Sequence, residues 1–258
     1  MRVATYERGR LRFWTDPFEI NVSNEFHFFT PSDSVQDVTL FAKYTLRADE
    51  MFLNRMIGGT FEGSNDPDFR EKEVLYLINE KPKRLQTVVQ SYSSKSYRYV
   101  RYIGPKYSHC NIAEAAFYTP NDTASLKGKV IGTPGCFQKD GSHEYTNVFD
   151  GDVTTSFDYI EPSGGWSGLD LGTPKQIGRI VYTPRSYDNY IRSGDDYELF
   201  YCARRNNWKS LGDQRSKADS LIYIKIPVNA LLLLCNNTRG IQERIFVYTC
   251  LLYTSPSP

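Results

Sequence analysis

Short runs of alternating apolar and polar residues recur along the chain, and this alternation restricts the fold more than any other feature. The period-2 pattern is typical of strands with one buried face. The 19 Tyr, 15 Phe and 3 Trp favour strands over helices, and 18 Gly with 13 Pro fit frequent turns. No long amphipathic helical pattern is present, so the sequence predicts an all-β fold of antiparallel sandwiches. The strongest strand candidates are residues 38–44, 74–78, 97–103, 113–118, 177–182, 197–202, 221–226, 230–235 and 244–248.

The length and one polar segment predict two domains in tandem. A chain of 258 residues is longer than most single domains, and residues 119–125 have the composition of a linker. A faint internal repeat agrees, since both halves close with Glu-x-x-Phe, at residues 114–117 and 243–246. We therefore expect one β-sandwich over residues 1–119 and a second over residues 126–249.

Charge and composition exclude several classes of function. The 31 Lys and Arg residues nearly balance 30 Asp and Glu, so a nucleic-acid partner is not expected. The longest aliphatic run, residues 231–234, is far too short to span a membrane. The Cys and His residues lack zinc-ligand spacing, and no phosphate-binding glycine loop or nucleophile–base pair stands out. The sequence predicts a protein that is not an enzyme.

The two ends of the chain carry separate expectations. Residues 250–258 resemble a translated sequencing adapter, so we expect them to be a non-native tail, with a genuine C-terminal tail as the alternative. No apolar signal-peptide segment follows Met1.

The second half contains an ordered series of motifs. They are NVFDGDVTT at residues 147–155, GWSGLDLG at 165–172, an Ile-rich strand at 177–182 followed by Pro-Arg, and GDDYELF at 194–200. This series resembles the discoidin, or coagulation factor 5/8 type C, domain, a group that includes the family 32 carbohydrate-binding modules. The resemblance covers most of residues 126–249, whereas the first half shares only the later part of the pattern and lacks the DGD and DLG motifs.

The resemblance implies a jelly-roll, galactose-binding-like sandwich whose loops at one end bind a ligand. Members are usually accessory modules of larger secreted or surface proteins and are seldom catalytic. Many hold a structural calcium ion near the DGD turn. Carboxylate and hydroxyl oxygens on a tight turn suit calcium, and the resemblance adds a Glu from the end of the domain. The candidate ligands are Asp150, Asp152, Thr155 and Glu243, with Glu114 as the counterpart of Glu243 in the first domain. The alternative is an Asx turn without a metal.

Candidate glycan ligands crowd two loops of the second domain. Sugars need planar hydrogen-bonding groups for their hydroxyls and an aromatic face for stacking. The candidates are Asp158, Tyr159, Arg185, Tyr187, Asn189, Tyr190 and Arg192. In the resembled family a loop Arg and a following Asn often contact the glycan, and Arg185 and Asn189 occupy comparable places. The family's loop His has no match, which leaves a galactose preference open.

Two structural alternatives accompany this prediction. Arg185 could pair with Asp195 or Asp196 in a purely structural role. Trp166 could stack on a sugar, but the resemblance favours a place in the core beside its strand.

Together these features predict a non-catalytic carbohydrate-binding accessory module of a bacterial protein that is secreted, periplasmic or on the cell surface. Its partner would be a glycan, galactose-type or other. A catalytic domain could lie elsewhere in the parent protein. The alternative is a structural spacer or docking module without affinity for sugars.

Overall fold

The computed structural model describes residues 4–13, 15–43, 53–82, 86–186, 188–203, 207–218, 220–249 and 252–254. They form antiparallel β-sheets, which confirms the predicted all-β fold class. In chain order the strands are β1 (Ala4–Glu7), β2 (Arg10–Phe13), β3 (Phe18–Ile20), β4 (Phe26–Phe28), β5 (Val35–Leu40), β6 (Thr60–Ser64), β7 (Lys72–Leu77), β8 (Thr87–Gln90), β9 (Ser96–Ile103), β10 (Ile112–Tyr118), β11 (Lys129–Gly132), β12 (Trp166–Gln176), β13 (Arg179–Pro184), β14 (Asp196–Ala203), β15 (Asn207–Arg215), β16 (Leu221–Pro227), β17 (Leu231–Asn236), β18 (Ile241–Thr249) and β19 (Leu252–Thr254). A 3₁₀ helix covers Tyr145–Phe149.

The chain divides into two compact units that differ from the predicted domains. Unit 1 combines residues 1–46 with residues 189–258, and unit 2 is residues 47–188. The predicted boundary at 119–126 is wrong, because β9 pairs with β12 and β10 pairs with β13 across it. Residues 119–125 connect two strands of one unit. A polar Pro- and Asn-containing segment is equally compatible with a turn and with a linker, and only the long-range pairing distinguishes them.

Unit 2 is a β-sandwich. Its five-stranded sheet has the order β11-β12-β9-β6-β7, and its three-stranded sheet has the order β10-β13-β8. Phe61 of the larger sheet lies 6.0 Å from Phe117 and 5.2 Å from Tyr182 of the smaller one, measured between ring centroids. All three side chains are buried in one continuous core. Burial of these aromatic faces is the main force that holds the sheets together.

The strand directions give unit 2 two distinct ends. β9 and β13 end where β10 and β12 begin, and we call this the apical end. Among the connections at this end, we call residues 104–111, 133–144, 156–165 and 185–186 the apical loops. The connections at the other, basal end include residues 65–71, 91–95, 119–128 and 177–178.

Unit 1 joins strands from both ends of the sequence. Its five-stranded sheet has the order β15-β14-β17-β18-β19, and β5 pairs with β16. Val38 and Leu40 of β5 are buried with Leu199, Leu234 and Phe246 of the five-stranded sheet. The first 46 residues therefore complete a core that the C-terminal strands supply. That residues 250–258 are foreign stays a prediction.

Within the described ranges, no helix has the length and hydropathy needed to cross a bilayer.

Candidate functional site

The apical loops of unit 2 are joined to one another by backbone hydrogen bonds. The Tyr159 amide donates to the His109 carbonyl over 2.7 Å, and the Phe137 amide donates to the Asp158 carbonyl over 2.8 Å. The Arg185 amide donates to the Asn111 carbonyl over 3.2 Å. Four segments that are far apart in the sequence thus form one continuous surface.

One apical loop has an unusual backbone. Tyr107, His109, Cys110 and Asn111 all have positive φ angles, of 63°, 56°, 76° and 47°. Residues with a Cβ enter this left-handed region at a cost of roughly 1–3 kcal/mol each, and such conformations concentrate at ligand-binding sites. The hydrogen bonds to residues 159 and 185 hold the loop in this shape. Buried Asn111 adds a second cost, because its Oδ1 has no hydrogen-bond partner among the described residues.

A buried ion pair lies beneath this surface. Arg185 Nη1 is 2.5 Å from Asp158 Oδ2, and both residues are buried. Both were predicted glycan ligands, and the structure brings them together with Tyr159. The guanidinium of Arg185 supports the apical loops through Asp158. Asp195, one of its predicted partners, binds Asn236 over 2.8 Å and Arg239 over 2.7 Å.

Aromatic side chains project from the apical loops into solvent. Tyr107 is 81% exposed and Phe137 is 56% exposed. The His109 ring meets Phe137 edge-on with 5.1 Å between centroids, and its Nδ1 lies 2.9 Å from the Tyr159 carbonyl oxygen. Sequence reasoning missed these three residues as binding candidates. The available signal was aromatic side chains in Gly-, Pro- and Ser-containing turns.

Three of the other predicted glycan ligands lie in unit 1. Asn189, Tyr190 and Arg192 belong to unit 1, where Asn189 is buried and the Arg192 guanidinium lies 4.9 Å from the centre of the Tyr190 ring. Tyr187 lies outside the described residues.

The DGD turn of unit 2 is closed by its own side chains. Asp150 Oδ1 accepts the Asp152 amide at 2.7 Å, and Asp150 Oδ2 accepts the Thr155 hydroxyl at 2.8 Å. Asp152 Oδ1 accepts both the amide and the hydroxyl of Thr154. This is the Asx-type geometry that the sequence analysis offered as the metal-free alternative.

The acid beside the DGD turn is Glu114, and the prediction of Glu243 is corrected. Glu114 Oε1 accepts the Gly151 amide at 2.8 Å. Burial, a hydrogen bond with the Asp150 carboxyl group and repulsion by its charge raise the pKa of Glu114 to about 8. Glu243 lies in unit 1, where its Oε1 is 3.1 Å from Lys43 Nζ and both side chains are buried. The physical reason is that β10, and not β18, shares a unit with the turn.

The donor set at the turn is compatible with a hard cation. Among the described residues, no three His, Cys, Asp or Glu side chains converge as metal ligands. Calcium also accepts carbonyl, hydroxyl and water oxygens, which the turn offers at Thr155 and at the Asp152 carbonyl. Burial is the largest cause of the raised pKa of Glu114, and the neighbouring Asp150 carboxyl group raises it further, so a cation beside the two groups would favour their ionised forms.

Trp166 is not in the hydrophobic core, contrary to the prediction. Its ring centroid lies 5.7 Å from that of Phe69, and the Arg101 guanidinium lies 5.2 Å from the ring centre. Arg101 also binds Glu62, with Nη2 2.7 Å from Oε2. Glu62 and Arg101 lie opposite each other on β6 and β9, so Trp166 helps to cover a buried ion pair.

Comparison with protein-family models, with curated proteins and with solved structures finds no match for this chain.

Proposed function

We propose that unit 2 binds a glycan through its apical loops and acts as a non-catalytic module. The observation that carries this proposal is the pair of exposed rings on the apical loops, Tyr107 and Phe137, with His109 in edge-on contact with Phe137. Tyr107 and His109 lie on the loop whose backbone is held in left-handed conformations. Exposed aromatic faces stack against the apolar face of a pyranose. Fixing the loops before binding reduces the entropy lost when the complex forms.

Each part of the apical surface has a distinct role in this proposal. Tyr107 and Phe137 supply stacking faces, and His109 supplies a ring nitrogen for a sugar hydroxyl. Asp158 and Arg185 act indirectly, because their buried ion pair holds residues 156–165 against residues 185–186. This assigns Arg185 a positioning role instead of the direct contact expected from the sequence.

We also propose a relationship between unit 2 and discoidin-like domains. It is supported by the motifs at residues 147–182, which lie in unit 2, and by a sandwich of five and three strands with loops at one end. The last motif, residues 194–200, lies in unit 1 and does not add to this support. On that relationship, the chain would be an accessory part of a larger protein that is secreted, periplasmic or on the cell surface.

A glycan array tests the proposed function. We expect the double variant Tyr107→Ala/Phe137→Ala to lose roughly tenfold or more of the affinity for at least one glycan that the wild type binds, which corresponds to about 1.4 kcal/mol. Tyr6→Ala is the matched control, because Tyr6 is an exposed tyrosine of unit 1. Unchanged binding by the double variant would refute the apical site, and no binding by the wild type would favour the spacer alternative.

We also propose that Ca²⁺ binds at the DGD turn through the carboxylates of Asp150 and Glu114, the hydroxyl of Thr155 and the backbone carbonyl of Asp152. The ion would supply the positive charge that the paired carboxyl groups of Glu114 and Asp150 lack. The expected result is a rise in melting temperature on adding calcium, equivalent to roughly 3 kcal/mol at a hundredfold excess over the dissociation constant. Asp150→Asn should abolish the rise, whereas Asp140→Asn, in a neighbouring loop, should retain it. Equal melting of the wild type with calcium and with chelator would contradict the proposal.

A further inference from the structure

A concavity lies at the basal end of unit 2, away from the apical loops. Residues 90–94, 119–123 and 176–179 form a groove with a volume of about 610 Å³, which we call the basal groove. This volume is within the range of small-molecule sites and is large enough for one or two sugar rings.

Hydrogen bonds fix the three segments of the basal groove. The Ser91 amide donates to the Gly178 carbonyl over 2.9 Å, and Gln176 Nε2 donates to the Ser93 carbonyl over 3.1 Å. Arg179 Nη2 donates to the Asp122 carbonyl over 3.2 Å. Gly178 permits the close approach of the turn, because a Cβ there would lie 2.7 Å from Pro120 Cα. The groove is therefore formed before any ligand arrives.

The wall of the groove combines aromatic and planar polar surfaces. Tyr92 is 93% exposed, which leaves both faces of its ring accessible. The Arg179 guanidinium lies 3.9 Å from the centre of the Tyr118 ring, a stacked arrangement that limits its movement. Most of the remaining lining carries hydroxyl or amide groups, among them Ser94, Asn121 and Thr123.

One buried hydroxyl in the groove lacks a partner. Ser91 lines the groove and is only 8% exposed, yet its Oγ has no hydrogen-bond partner among the described residues. A buried hydroxyl without a partner costs folding free energy, and a ligand hydroxyl would remove that cost.

The charges of the groove indicate a neutral ligand. Asp122 and Arg179 are its two charged side chains. Asp122 Oδ1 accepts the Ala124 amide at 3.0 Å, and Asp122 Oδ2 is 3.4 Å from the Thr119 hydroxyl. Because the two opposite charges balance and both are engaged within the turn, no net charge is left for an anionic or cationic ligand.

From these observations we infer that the basal groove is a second binding site, for a neutral carbohydrate. The Tyr92 ring stacks on one sugar face, while Ser91, Gln176 and Asn121 exchange hydrogen bonds with its hydroxyls. The site uses none of the apical residues, so it does not depend on the proposed function of the apical loops.

The test uses the full chain with the apical rings removed. The Tyr107→Ala/Phe137→Ala variant is screened on an array of neutral oligosaccharides, alone and with Tyr92→Ala or Ser91→Ala added. We expect at least one retained ligand, at least a tenfold loss of its binding with Tyr92→Ala, and a several-fold loss with Ser91→Ala. Tyr6→Ala in the same background should leave binding unchanged.

Thermal melts separate loss of the site from loss of the fold. Ser91→Ala should keep or raise the melting temperature, because it removes a hydroxyl without a partner. Absence of any retained neutral glycan would overturn the basal site, as would retained binding that Tyr92→Ala does not weaken. If removal of the apical rings abolishes all glycan binding of the wild type, only the basal site is refuted. If binding survives that removal unchanged and is lost only when Tyr92→Ala is added, only the apical site is refuted.

Discussion

Strands β10 of unit 2 and β18 of unit 1 carry the same Glu-x-x-Phe motif, but their glutamates have opposite surroundings. Glu114 on β10 shares a hydrogen bond with the carboxyl group of Asp150, and its pKa is raised to about 8. Glu243 on β18 lies 3.1 Å from Lys43 in a buried ion pair. The Phe of each motif, Phe117 or Phe246, is fully buried in the core of its own unit.

The difference shows that burial of the Phe depends on its own strand, whereas the surroundings of the Glu depend on residues far away in the sequence. The Phe is buried because alternation along its own strand directs it inward. The charge of the Glu is balanced, or left unbalanced, by residues from distant segments. Unit 1 supplies a lysine from residues 1–46, whereas unit 2 supplies a second acid and so favours a proton or a cation at that place.

The largest expected effect is the loss of the buried ion pair in unit 1. Lys43→Met leaves the carboxylate of Glu243 buried without its cation, so we expect a destabilisation of about 3 kcal/mol at pH 7. Urea denaturation followed by circular dichroism measures it. The double variant Lys43→Met/Glu243→Leu should recover most of the loss, because neither charge remains. An unchanged unfolding midpoint for Lys43→Met would mean that the pair contributes nothing.

A smaller effect is expected from the pH dependence of Glu114. Between the ordinary value of 4.5 and about 8, the folded protein keeps a proton that the unfolded chain releases. The contribution to stability is therefore fully present below pH 4.5 and is lost as the pH rises to about 8. Because Glu114 is only partly buried, we expect a total change of about 1–2 kcal/mol in calcium-free buffer.

Glu114→Gln provides the control for this pH dependence, because an amide does not titrate. The stability difference between the wild type and this variant should change between pH 5 and pH 8, with the wild type losing more. Parallel curves for the two proteins would show that Glu114 has an ordinary pKa, and the contrast with Glu243 would then rest on geometry alone.

Strand positions were largely predictable because they depend on local alternation. The predicted strands at residues 97–103 and 113–118 correspond to β9 and β10, and that at 221–226 corresponds to β16. Their alternating residues bury one face whichever strand lies beside them, so the pattern is visible without knowledge of the partner.

The predicted division of the chain failed because it depended on pairing between distant strands. The core of unit 1 needs β5 beside β16, a pairing across roughly 185 residues that no local pattern specifies. The contacts of the candidate site were unpredictable for the same reason. The sequence identified Asp158 and Arg185 as residues of interest, but only the fold showed that they bind each other under the apical loops.

The all-β class, the strand positions and the acidic turn can be read from the sequence, because each is encoded by neighbouring residues. Three other features become visible only in the folded chain: its division at residues 46 and 188, the position of Glu114 beside the acidic turn, and the basal groove. Each of these depends on the pairing of distant strands, which is selected by the burial of the whole core and not by any single segment.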